Sequence, residues 1–433
     1  MRGGAALVVA DVAAPVGGLV DGPLGVDVPV LQVANPRRTL AILARGVYPR
    51  QPETVLAVTG TSGKTSVAEF TRQIFQALGH ASASLGTLGV MTAEGLREGA
   101  LTTPGPVELH KLLDGLAEDG VTHLAMEASS HGLDQFRLDG VRLAAGAFTN
   151  LGRDHMDYHP TVASYFDAKM RLVRELLQPG QPFVVNMDGA SAEQAREAAQ
   201  SRGLRVSTVG RAGDTLRLLE TARDGFCQLL TLEHGGRRRD VPPPPVGAYQ
   251  IENALVAAGL AIAAGEAPDA VLAALKMLRG VAGRLDVVGA AKGGLAVVDY
   301  AHKPEALAAA LDALRPFATG RLICVFGCGG DRDRGKRPIM GRIAVEKSDV
   351  VIVTDDNPRS EDAAAIRAEI LAAAPGAREI GDRAAAIAAA IAMMARGDVV
   401  VVAGKGHETG QKIGDTVLPF SDHQEIAKAL GTA

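Results

Sequence analysis

Residues 60–66, "GTSGKTS", combine two glycines with a lysine and several hydroxyl groups. Gly60 and Gly63 allow the backbone to turn where a Cβ atom would clash. The amides of such a loop, and of a helix that begins behind it, bind phosphate oxygens. We expect Lys64 to reach the β- and γ-phosphates of a nucleotide and Thr65 to bind Mg²⁺. The candidate nucleotide-binding residues are Gly60, Thr61, Ser62, Gly63, Lys64, Thr65 and Ser66.

The loop lacks the full spacing GxxxxGK[ST], because Val58 stands where that motif has its first glycine. A glycine-rich turn that binds nothing is the competing interpretation. The Lys-Thr pair between a strand pattern and a helix pattern favours phosphate binding.

The stretch "MEASSHGLDQFRLDG" begins at the end of an apolar run that predicts a strand. Glu127 ends that run and could be a second Mg²⁺ ligand, since Mg²⁺ prefers carboxylates and water. Ser129, Gln135 and Arg137 supply hydrogen-bond donors for a polar substrate. A capped loop that leads into a helix explains the same residues equally well.

A third polar cluster, "FTNLGRDHMDYH", follows another predicted strand and contains Asp154, His155, Asp157 and His159. This density at the carboxyl end of a strand favours a site over a surface loop. The spacing does not show which histidine is a ligand.

Lys169 lies farther on, in the amphipathic stretch "VASYFDAKMRLVREL". Taken alone, it reads as a surface lysine whose stem covers apolar neighbours.

The stretch "VVIVTDDNPRSED" is an apolar run that ends in acids, an amide, a proline and an arginine. Such a run is typical of a buried parallel strand. Ligands of open α/β sheets bind beyond the carboxyl ends of the strands. Residues 355–359 could therefore hold a ligand there. The alternative is a loop that caps the following helix, which explains an acid but not the Pro-Arg pair.

The elements that must position these residues form two series of alternating strands and helices. One series runs from Val55 to about Gly265 and the other from residue 283 to the end. Alternation predicts parallel sheets with helices on both faces. We predict an α/β protein with a P-loop-type central domain (53–282) and a C-terminal Rossmann-like, doubly wound domain (283–433). "TLRLLETARDGFCQLLTLEHGGRRR" predicts an antiparallel hairpin within the first series.

Composition narrows the class of function. The 433 residues carry a formal net charge of −4 and only 3% aromatic side chains, which argues against nucleic-acid binding. Three unpaired cysteines suit a reducing cytosol. No stretch is long and apolar enough to span a bilayer. The start, "MRGGAALVVADVAAP", predicts a strand, because Asp11 interrupts what would otherwise resemble a signal peptide. We expect a cytoplasmic protein without membrane insertion.

Seven motifs together resemble the Mur ligase family of ATP-dependent amide-forming ligases. In chain order they are "TGTSGKT", "EASSH", "NLGRDHMDYH", "VDYAHKPEAL", "GCGGDRDRGKRP", "DDNPR" and "GKGHE". The resemblance covers roughly residues 40–433. Each motif alone is moderately specific, whereas seven in one order are very specific.

The resemblance implies transfer of the ATP γ-phosphate to a substrate carboxylate, followed by attack of an amine on the acyl phosphate. The implied partners are UDP-N-acetylmuramoyl-L-alanyl-D-glutamate and meso-2,6-diaminopimelate. The implied metal ligands are Thr65, Glu127, His155 and a carbamylated Lys169. Asn253, Arg284, Asp299 and His302 match nucleotide-binding positions. Thr102, Thr103, Ser129, Gln135 and Arg137 match positions that contact the UDP-linked substrate.

The "DNPR" motif is similar to the segment that recognises meso-diaminopimelate in the family. The implied pocket contains Arg332, Asp356, Asn357, Pro358, Arg359, Gly404 and Glu408. Lysine lacks the second carboxylate and would leave Arg359 unpaired. Such a loss costs about 2–5 kcal/mol when the charge is buried.

Three departures from the family pattern accompany the resemblance. Residues 1–52 are expected to form only part of the N-terminal UDP-binding domain. Leu101 and Lys303 replace the asparagine and threonine usual at their positions.

Two other functions compete with the ligase: a folylpolyglutamate synthetase-like ligase, and an ATP-binding paralogue without turnover. A monomer is expected.

Overall fold

The computed structural model describes residues 8–12, 19–21, 27–97, 99, 101–156, 158–224, 227–241 and 248–432. Within them, β4 to β14 form one eleven-stranded sheet and β15 to β20 form a six-stranded sheet. Two small sheets flank them, one formed by β1 to β3 and one by β21 and β22. The strands are β1 (Val8–Asp11), β2 (Leu19–Asp21), β3 (Asp27–Val33), β4 (Thr54–Thr59), β5 (Ser82–Gly86), β6 (Gly89–Thr92), β7 (Gly95–Arg97), β8 (His123–Glu127), β9 (Ala145–Phe148), β10 (Pro182–Asn186), β11 (Arg205–Gly210), β12 (Leu216–Asp224), β13 (Cys227–His234), β14 (Arg237–Val241), β15 (Asp286–Ala291), β16 (Gly294–Asp299), β17 (Leu322–Phe326), β18 (Val350–Val353), β19 (Arg378–Glu379), β20 (Val399–Ala403), β21 (Gly410–Ile413) and β22 (Thr416–Pro419).

The helices cover both faces of the two large sheets. Each described helix is either too short or too polar to pass through a bilayer. The helices are α1 (Pro36–Val47), α2 (Lys64–Ala77), α3 (Pro106–Glu118), α4 (Ser130–Asp134), α5 (Val162–Arg171), α6 (Ala192–Ser201), α7 (Ala248–Ala263), α8 (Pro268–Ala274), α9 (Pro304–Leu314), α10 (Lys336–Lys347), α11 (Ala363–Leu371), α12 (Arg383–Met393) and α13 (Asp422–Leu430). A π-helical turn, Leu172–Leu176, extends α5.

The central sheet has the order β14-β13-β12-β11-β10-β9-β4-β8-β5-β6-β7, and β5, β8, β4, β9, β10 and β11 are parallel. Strand β4 lies in the middle and is buried on both faces. Val55 and Ala57 pack in the apolar cluster that contains α3, whereas Leu56 and Val58 pack with α2 and α7. This alternation follows from the two-residue period of a strand.

The C-terminal sheet has the order β15-β16-β20-β17-β18-β19, and β16, β20, β17 and β18 are parallel. Cys324 and Phe326 of β17 pack in the cluster with α9 and α10, whereas Ile323 and Val325 pack with α12 and α13. Helices on both faces make this a doubly wound unit, as predicted.

The predicted fold class is confirmed, and so is the hairpin formed by β12 and β13, which pair antiparallel. Two features were missed. The antiparallel strands β6 and β7 extend the far edge of the central sheet, and β21 and β22 form a separate hairpin. Both are short hairpins with weak apolar alternation, so their pairing depends on neighbouring structure.

Cys324 and Cys328 are buried free thiols, and burial raises the pKa of each to about 12.

A buried ion pair ties together the helices behind the C-terminal sheet. Arg383 begins α12 and Asp422 begins α13, and both side chains are 0% exposed. Arg383 Nε and Nη2 lie 2.7 and 2.8 Å from the two Asp422 oxygens. Arg383 also donates to the backbone oxygens of Ala403, at 3.0 Å, and Asp355, at 3.3 Å. The pair therefore holds the residues that end β20 and follow β18.

The Asp422→Ala variant should lose about 3–5 kcal/mol of the free energy of unfolding of the C-terminal unit, because Arg383 stays buried without its counter-charge. Urea denaturation followed by circular dichroism measures this loss. The apolar double variant Arg383→Met/Asp422→Leu should recover most of it. The surface-pair control Asp312→Ala should change the value by less than about 1 kcal/mol. A double variant as unstable as Asp422→Ala would contradict the unpaired charge as the cause.

Candidate functional site

The loop between β4 and α2 has a backbone shape that requires glycine. Gly60 and Gly63 have positive φ angles of 147° and 86°. A Cβ atom on Gly60 would lie 1.9 Å from Thr149 Oγ1, and one on Gly63 would lie 2.2 Å from Asn253 Oδ1. Helix α2 begins at Lys64, directly after this turn. The loop therefore packs tightly against other elements and leads into the amino end of a helix, where backbone amides lack helical partners.

Two lysines from different helices converge on one backbone oxygen. Lys64 Nζ lies 2.8 Å from Gly60 O and 2.9 Å from Thr61 O, and Lys169 Nζ lies 2.7 Å from Gly60 O. Lys169 is 1% exposed, and its Nζ lies 4.1 Å from the centre of the Tyr165 ring. Burial lowers the pKa of both lysines, and the charge of Lys64 lowers that of Lys169 further. The Lys169 pKa falls well below its ordinary value, which favours the neutral amine.

A carboxylate and an imidazole lie in the same region as the two lysines. Glu127 ends β8, is 1% exposed, and accepts a hydrogen bond of 2.8 Å from Thr87 N. His155 follows β9 and has a φ of 54°. Burial lowers the pKa of His155 to about 4, although Asp154 beside it acts in the opposite direction. At neutral pH, His155 therefore presents a neutral ring with one nitrogen lone pair available to a metal ion.

These groups line a cavity of ≈ 540 Å³ between the central and C-terminal units. The predicted site residues in its lining are Thr61, Ser62, Gly63, Lys64, Thr65, Ser66, Thr102, Glu127, Ser129, His155, Lys169, Asn253, Arg284, Asp299 and His302. The predicted residues outside the lining are Gly60, Thr103, Gln135, Arg137, Arg332, Asp356, Asn357, Pro358, Arg359, Gly404 and Glu408. The carboxyl ends of β4, β8 and β9 thus share the cavity with the carboxyl end of β16.

Two contacts cross this cavity from the C-terminal unit. Lys303 forms an ion pair with Asp154. Burial alone would raise the pKa of Asp154, but Lys303, His155 and Lys64 lower it to about 2. Arg284 donates to Thr65 Oγ1 at 3.4 Å and thereby reaches the phosphate-binding loop. The C-terminal unit therefore contacts both the loop and the segment of His155.

The residues present fit a nucleotide with magnesium. Ser66 and Ser130 line the cavity with buried hydroxyl oxygens that lack a hydrogen-bond partner within the described part of the chain. Leaving such groups unpaired costs free energy, which a polar ligand would recover. Thr65, Glu127 and His155 offer a hydroxyl, a carboxylate and a neutral imidazole, and the oxygen donors among them suit Mg²⁺.

A hydrogen-bond network extends beside the cavity. Arg137 donates to Thr103 O at 2.7 Å and to Gln135 Oε1 at 2.6 Å. Thr103 Oγ1 donates to Glu127 O at 2.9 Å and accepts from Ser129 Oγ at 3.0 Å. Ser129 also caps α4, so the capped-loop interpretation of this segment is correct. The same residues therefore form one network, and Ser129 lies at its edge in the cavity wall.

The "DNPR" loop after β18 is held by a buried ammonium group. Lys405 is 0% exposed and donates to Asn357 Oδ1 at 3.0 Å, Glu408 Oε2 at 2.9 Å and Gly410 O at 2.6 Å. Asn357 Nδ2 donates to the same Glu408 oxygen at 2.9 Å. Asp356 Oδ1 accepts from Asn357 N at 2.7 Å. The polar groups of Asn357 are therefore engaged within the protein.

The Arg359 guanidinium forms no ion pair with any carboxylate of the described residues, whereas Arg337 and Arg367 nearby each pair with an acid. Arg359 is half-buried and donates one hydrogen bond, of 2.8 Å, to Gly330 O. Its backbone has a φ of 52°, and its amide donates to Lys412 O at 3.1 Å. A Cβ atom on Gly329 would lie 2.7 Å from Arg359 Nη1, so the glycines of "GCGGD" leave room for the guanidinium.

The capping alternative for "DDNPR" is wrong. Helix α11 begins at Ala363, and Asp362 caps it by accepting from the amide of Ala365 at 2.9 Å. Asp355 instead pairs with Arg367. Asp157, from the third polar cluster, lies outside the described residues.

Arg332 is exposed, and its side chain donates to the adjacent carbonyl oxygen of Asp331 at 3.2 Å. The structure does not bring Arg332 into the cavity. The role of Lys405 was missed by sequence reasoning, as was the ion pair between Lys303 and Asp154. The signal for Lys405 was a lysine between two glycines, directly after the buried run "VVVVAG".

Comparison with known proteins identifies the family. Residues 58–261 match the Mur ligase middle domain, and residues 283–406 match the Mur ligase glutamate ligase domain. The chain is 60% identical over 414 residues to UDP-N-acetylmuramoyl-L-alanyl-D-glutamate--2,6-diaminopimelate ligase of Bradyrhizobium diazoefficiens, covering 95% of this chain and 85% of that relative. It is 51% identical over 436 residues to the protein of the same name from Caulobacter vibrioides, covering 99% of this chain and 89% of that relative.

Solved structures agree with this assignment. A structure of a UDP-N-acetylmuramoyl-L-alanyl-D-glutamate--2,6-diaminopimelate ligase has a TM-score of 0.68 and 32% identity, covering 95% of this chain and 85% of that chain. Folylpolyglutamate synthase of Mycobacterium tuberculosis, complexed with ADP, has a TM-score of 0.69 but only 18% identity. The match covers 85% of this chain and 91% of that chain. The second match shows a shared fold alone. By its matching domains and its similarity over most of its length, the chain belongs to the Mur ligase family.

Proposed function

We propose that this chain is an ATP-dependent ligase that joins meso-2,6-diaminopimelate to the glutamyl carboxylate of UDP-N-acetylmuramoyl-L-alanyl-D-glutamate. One observation carries the proposal: the cavity is lined by a glycine-rich phosphate loop from one unit and by Asp299–Lys303 from the other. The names of the relatives, at 51% and 60% identity, indicate the two substrates. The likeness to folylpolyglutamate synthase is confined to the fold and does not favour a folate substrate.

ATP phosphates bind at the amides of the loop and at Lys64 in this proposal. Lys64 uses two of its three N–H bonds on Gly60 O and Thr61 O, so one remains for a phosphate oxygen. Asn253, Arg284 and His302 surround the nucleotide from α7 and the C-terminal unit. Burial lowers the pKa of His302 to about 3, so this side chain acts as a neutral donor or acceptor.

Thr65, Glu127, His155 and Lys169 would hold magnesium. When bound, magnesium neutralises the negative charge that the phosphoryl oxygens carry during transfer. The substrate carboxylate oxygen forms a bond to the γ-phosphorus as the β–γ bridging bond breaks and ADP leaves. The amine nitrogen then attacks the acyl carbon. The C–O bond to phosphate breaks, phosphate leaves with the electron pair, and the nitrogen loses a proton.

Lys169 matches the lysine that takes up CO₂ in the Mur ligase family, and the proposal assigns it the same reaction here. Its buried position and its neighbour Lys64 favour the neutral amine, which is the nucleophile that this reaction needs. The nitrogen lone pair forms a bond to the carbon of CO₂, a C=O electron pair moves to oxygen, and one proton leaves. The product keeps one N–H, enough for the present hydrogen bond to Gly60 O. It also supplies an anionic oxygen donor for a metal ion, which the unmodified lysine lacks.

Selectivity for diaminopimelate rests on Arg359 in this proposal. Its guanidinium lacks a carboxylate partner within the described residues, whereas the neighbouring Arg337 and Arg367 have acidic partners. A planar guanidinium binds a carboxylate through two parallel hydrogen bonds, which lysine does not reproduce. Glu408 keeps Oε1 free of hydrogen bonds to described residues and could accept from the distal ammonium group.

The first experiment supplies the UDP-linked dipeptide, ATP and Mg²⁺, and measures phosphate release with either meso-diaminopimelate or L-lysine. We expect release with diaminopimelate and a kcat/KM for L-lysine at least about 30-fold lower. Bound substrate would cover the half-buried Arg359 guanidinium, and L-lysine would leave it covered but unpaired, at a cost of about 2 kcal/mol or more. Release with neither amino acid would reject the ligase proposal. Equal rates would reject the proposed selectivity.

The Arg359→Lys variant should raise the KM for diaminopimelate about 10-fold or more and leave the KM for ATP within about twofold. Arg342→Lys, an exposed change on α10, is the matched control and should alter neither value. Steady-state kinetics with each substrate varied separately measures both. Equal increases in the two KM values would place Arg359 outside the amino-acid pocket.

The Lys169→Arg variant keeps a positive charge but does not form a carbamate. We expect kcat/KM to fall by about 100-fold or more, because loss of groups that merely support metal ligands already costs 10–100-fold. Lys347→Arg on the surface of α10 is the control and should retain activity. Electron density for a carbamate on Lys169 in a crystal of the unaltered protein is the direct measurement. Full activity of Lys169→Arg would contradict the carbamate.

A further inference from the structure

Three side chains with metal-binding atoms converge where the parallel strands of the central sheet begin. The cavity lies at the other end of these strands. The three side chains are His80 after α2, His123 at the start of β8 and Glu266 after α7. One ring nitrogen of each histidine and one Glu266 oxygen lie within 4.8 Å of one another. The two imidazole rings are 4.0 Å apart between centres, and His80 Nε2 lies 2.8 Å from Glu266 Oε1.

The backbones that carry His80 and Glu266 are held by the same helix-ending structure. In α2, the His80 amide donates to Phe75 O at 3.0 Å and the Gly79 amide to Gln76 O at 3.0 Å. In α7, the Glu266 amide donates to Ala261 O at 3.1 Å, and the preceding glycine amide bonds in the same way. Both glycines have positive φ angles. This double closure is the Schellman motif, and it places the two side chains at corresponding positions of two packed helices.

The hydrogen bonds of His123 leave one ring nitrogen available. Thr122 Oγ1 lies 3.2 Å from Ala81 O and 2.8 Å from His123 Nδ1. A hydroxyl has one hydrogen, so if it donates to the carbonyl it accepts from Nδ1–H. Nε2 then carries the lone pair. A histidine held through its other nitrogen in this way is the usual arrangement of a metal ligand.

The charges around the cluster favour a cation. Burial lowers the pKa of His123, and His80 lowers it further, while Glu266 and Glu53 act in the opposite direction. A neutral imidazole ring binds a metal ion through the lone pair of one nitrogen. Two imidazoles and one carboxylate are a donor set that Zn²⁺ takes, with further positions open to water.

We propose that His80, His123 and Glu266 form a binding site for Zn²⁺ or a similar transition-metal ion, separate from the nucleotide cavity. Strand β8 runs from His123 to Glu127, which places the two sites about 13 Å apart along the strand. The ion joins the far ends of α2, α7 and β8, whose other parts supply Lys64, Asn253 and Glu127 to the cavity. It therefore clamps the three elements that position the phosphate loop.

The test is zinc binding by tag-free, EDTA-treated protein, measured by equilibrium dialysis with ZnCl₂ and by the thermal unfolding midpoint. The His123→Ala and Glu266→Gln variants should each bind one equivalent fewer than the unaltered chain. Zinc at 100 times its dissociation constant should raise the unfolding midpoint of the unaltered chain by roughly 5 °C, and that of the variants by less. Co²⁺ in place of Zn²⁺ should give a visible absorption band that the variants lack.

Two control variants separate this site from other histidines. His155→Ala removes a ligand of the nucleotide cavity and should keep the equivalent that His123→Ala loses. His423→Gln, which removes the partner of Asp286 on the C-terminal unit, should bind as the unaltered chain does. If His123→Ala is unfolded by circular dichroism, Glu266→Gln decides. Unchanged stoichiometry in Glu266→Gln, or zinc that only His155→Ala removes, would overturn the proposal and leave an ion pair that binds no metal.

Discussion

The carbonyl oxygen of Gly60 accepts hydrogen bonds from two lysine side chains, and the properties of the cavity depend on this arrangement. Two ammonium groups at one buried oxygen repel each other, so one of them favours the neutral form. Lys169, the more buried, takes that role. The arrangement also joins α5 to the phosphate loop. The same loop packs so closely on Thr149, which follows β9, that a Cβ atom on Gly60 would clash with it. The position of the loop and the neutral form favoured at Lys169 therefore depend on the same hydrogen-bonded oxygen.

A second constraint comes from the direction of the strands. Both large sheets are parallel near their centres, so their loops with polar residues gather at the carboxyl ends. The cavity lies where these ends face each other. Lys303 and Arg284 cross it to reach Asp154 and Thr65, and they bring the C-terminal unit to the phosphate loop. A reaction that joins a phosphorylated substrate to an amino acid needs such an approach, because each reactant is held by a different unit in the proposal.

The loops of the C-terminal unit show how a charged side chain is kept available. Lys405 and Glu408 neutralise each other and hold Asn357 between them. Arg383, paired with Asp422, bonds to the backbone at the ends of the neighbouring segments. These buried pairs fix the loop without involving the guanidinium of Arg359. The stability of the unit and the accessibility of Arg359 are therefore connected, since the internal charges are satisfied by one another.

The sequence by itself determined the fold class, the family, the phosphate loop and about half of the cavity lining, because these depend on local features. Apolar runs of strand length, helical periodicity, and glycines next to Lys-Thr are readable along the chain. Only the tertiary structure decided that Lys169 is buried and bonded to Gly60, whereas the local residue pattern, without the family resemblance, favoured a surface lysine. It also decided that Lys303 meets Asp154 across the cavity, and that His80, His123 and Glu266 converge. These residues lie far apart along the chain, and neither burial nor a meeting between distant side chains leaves a periodic pattern in the sequence.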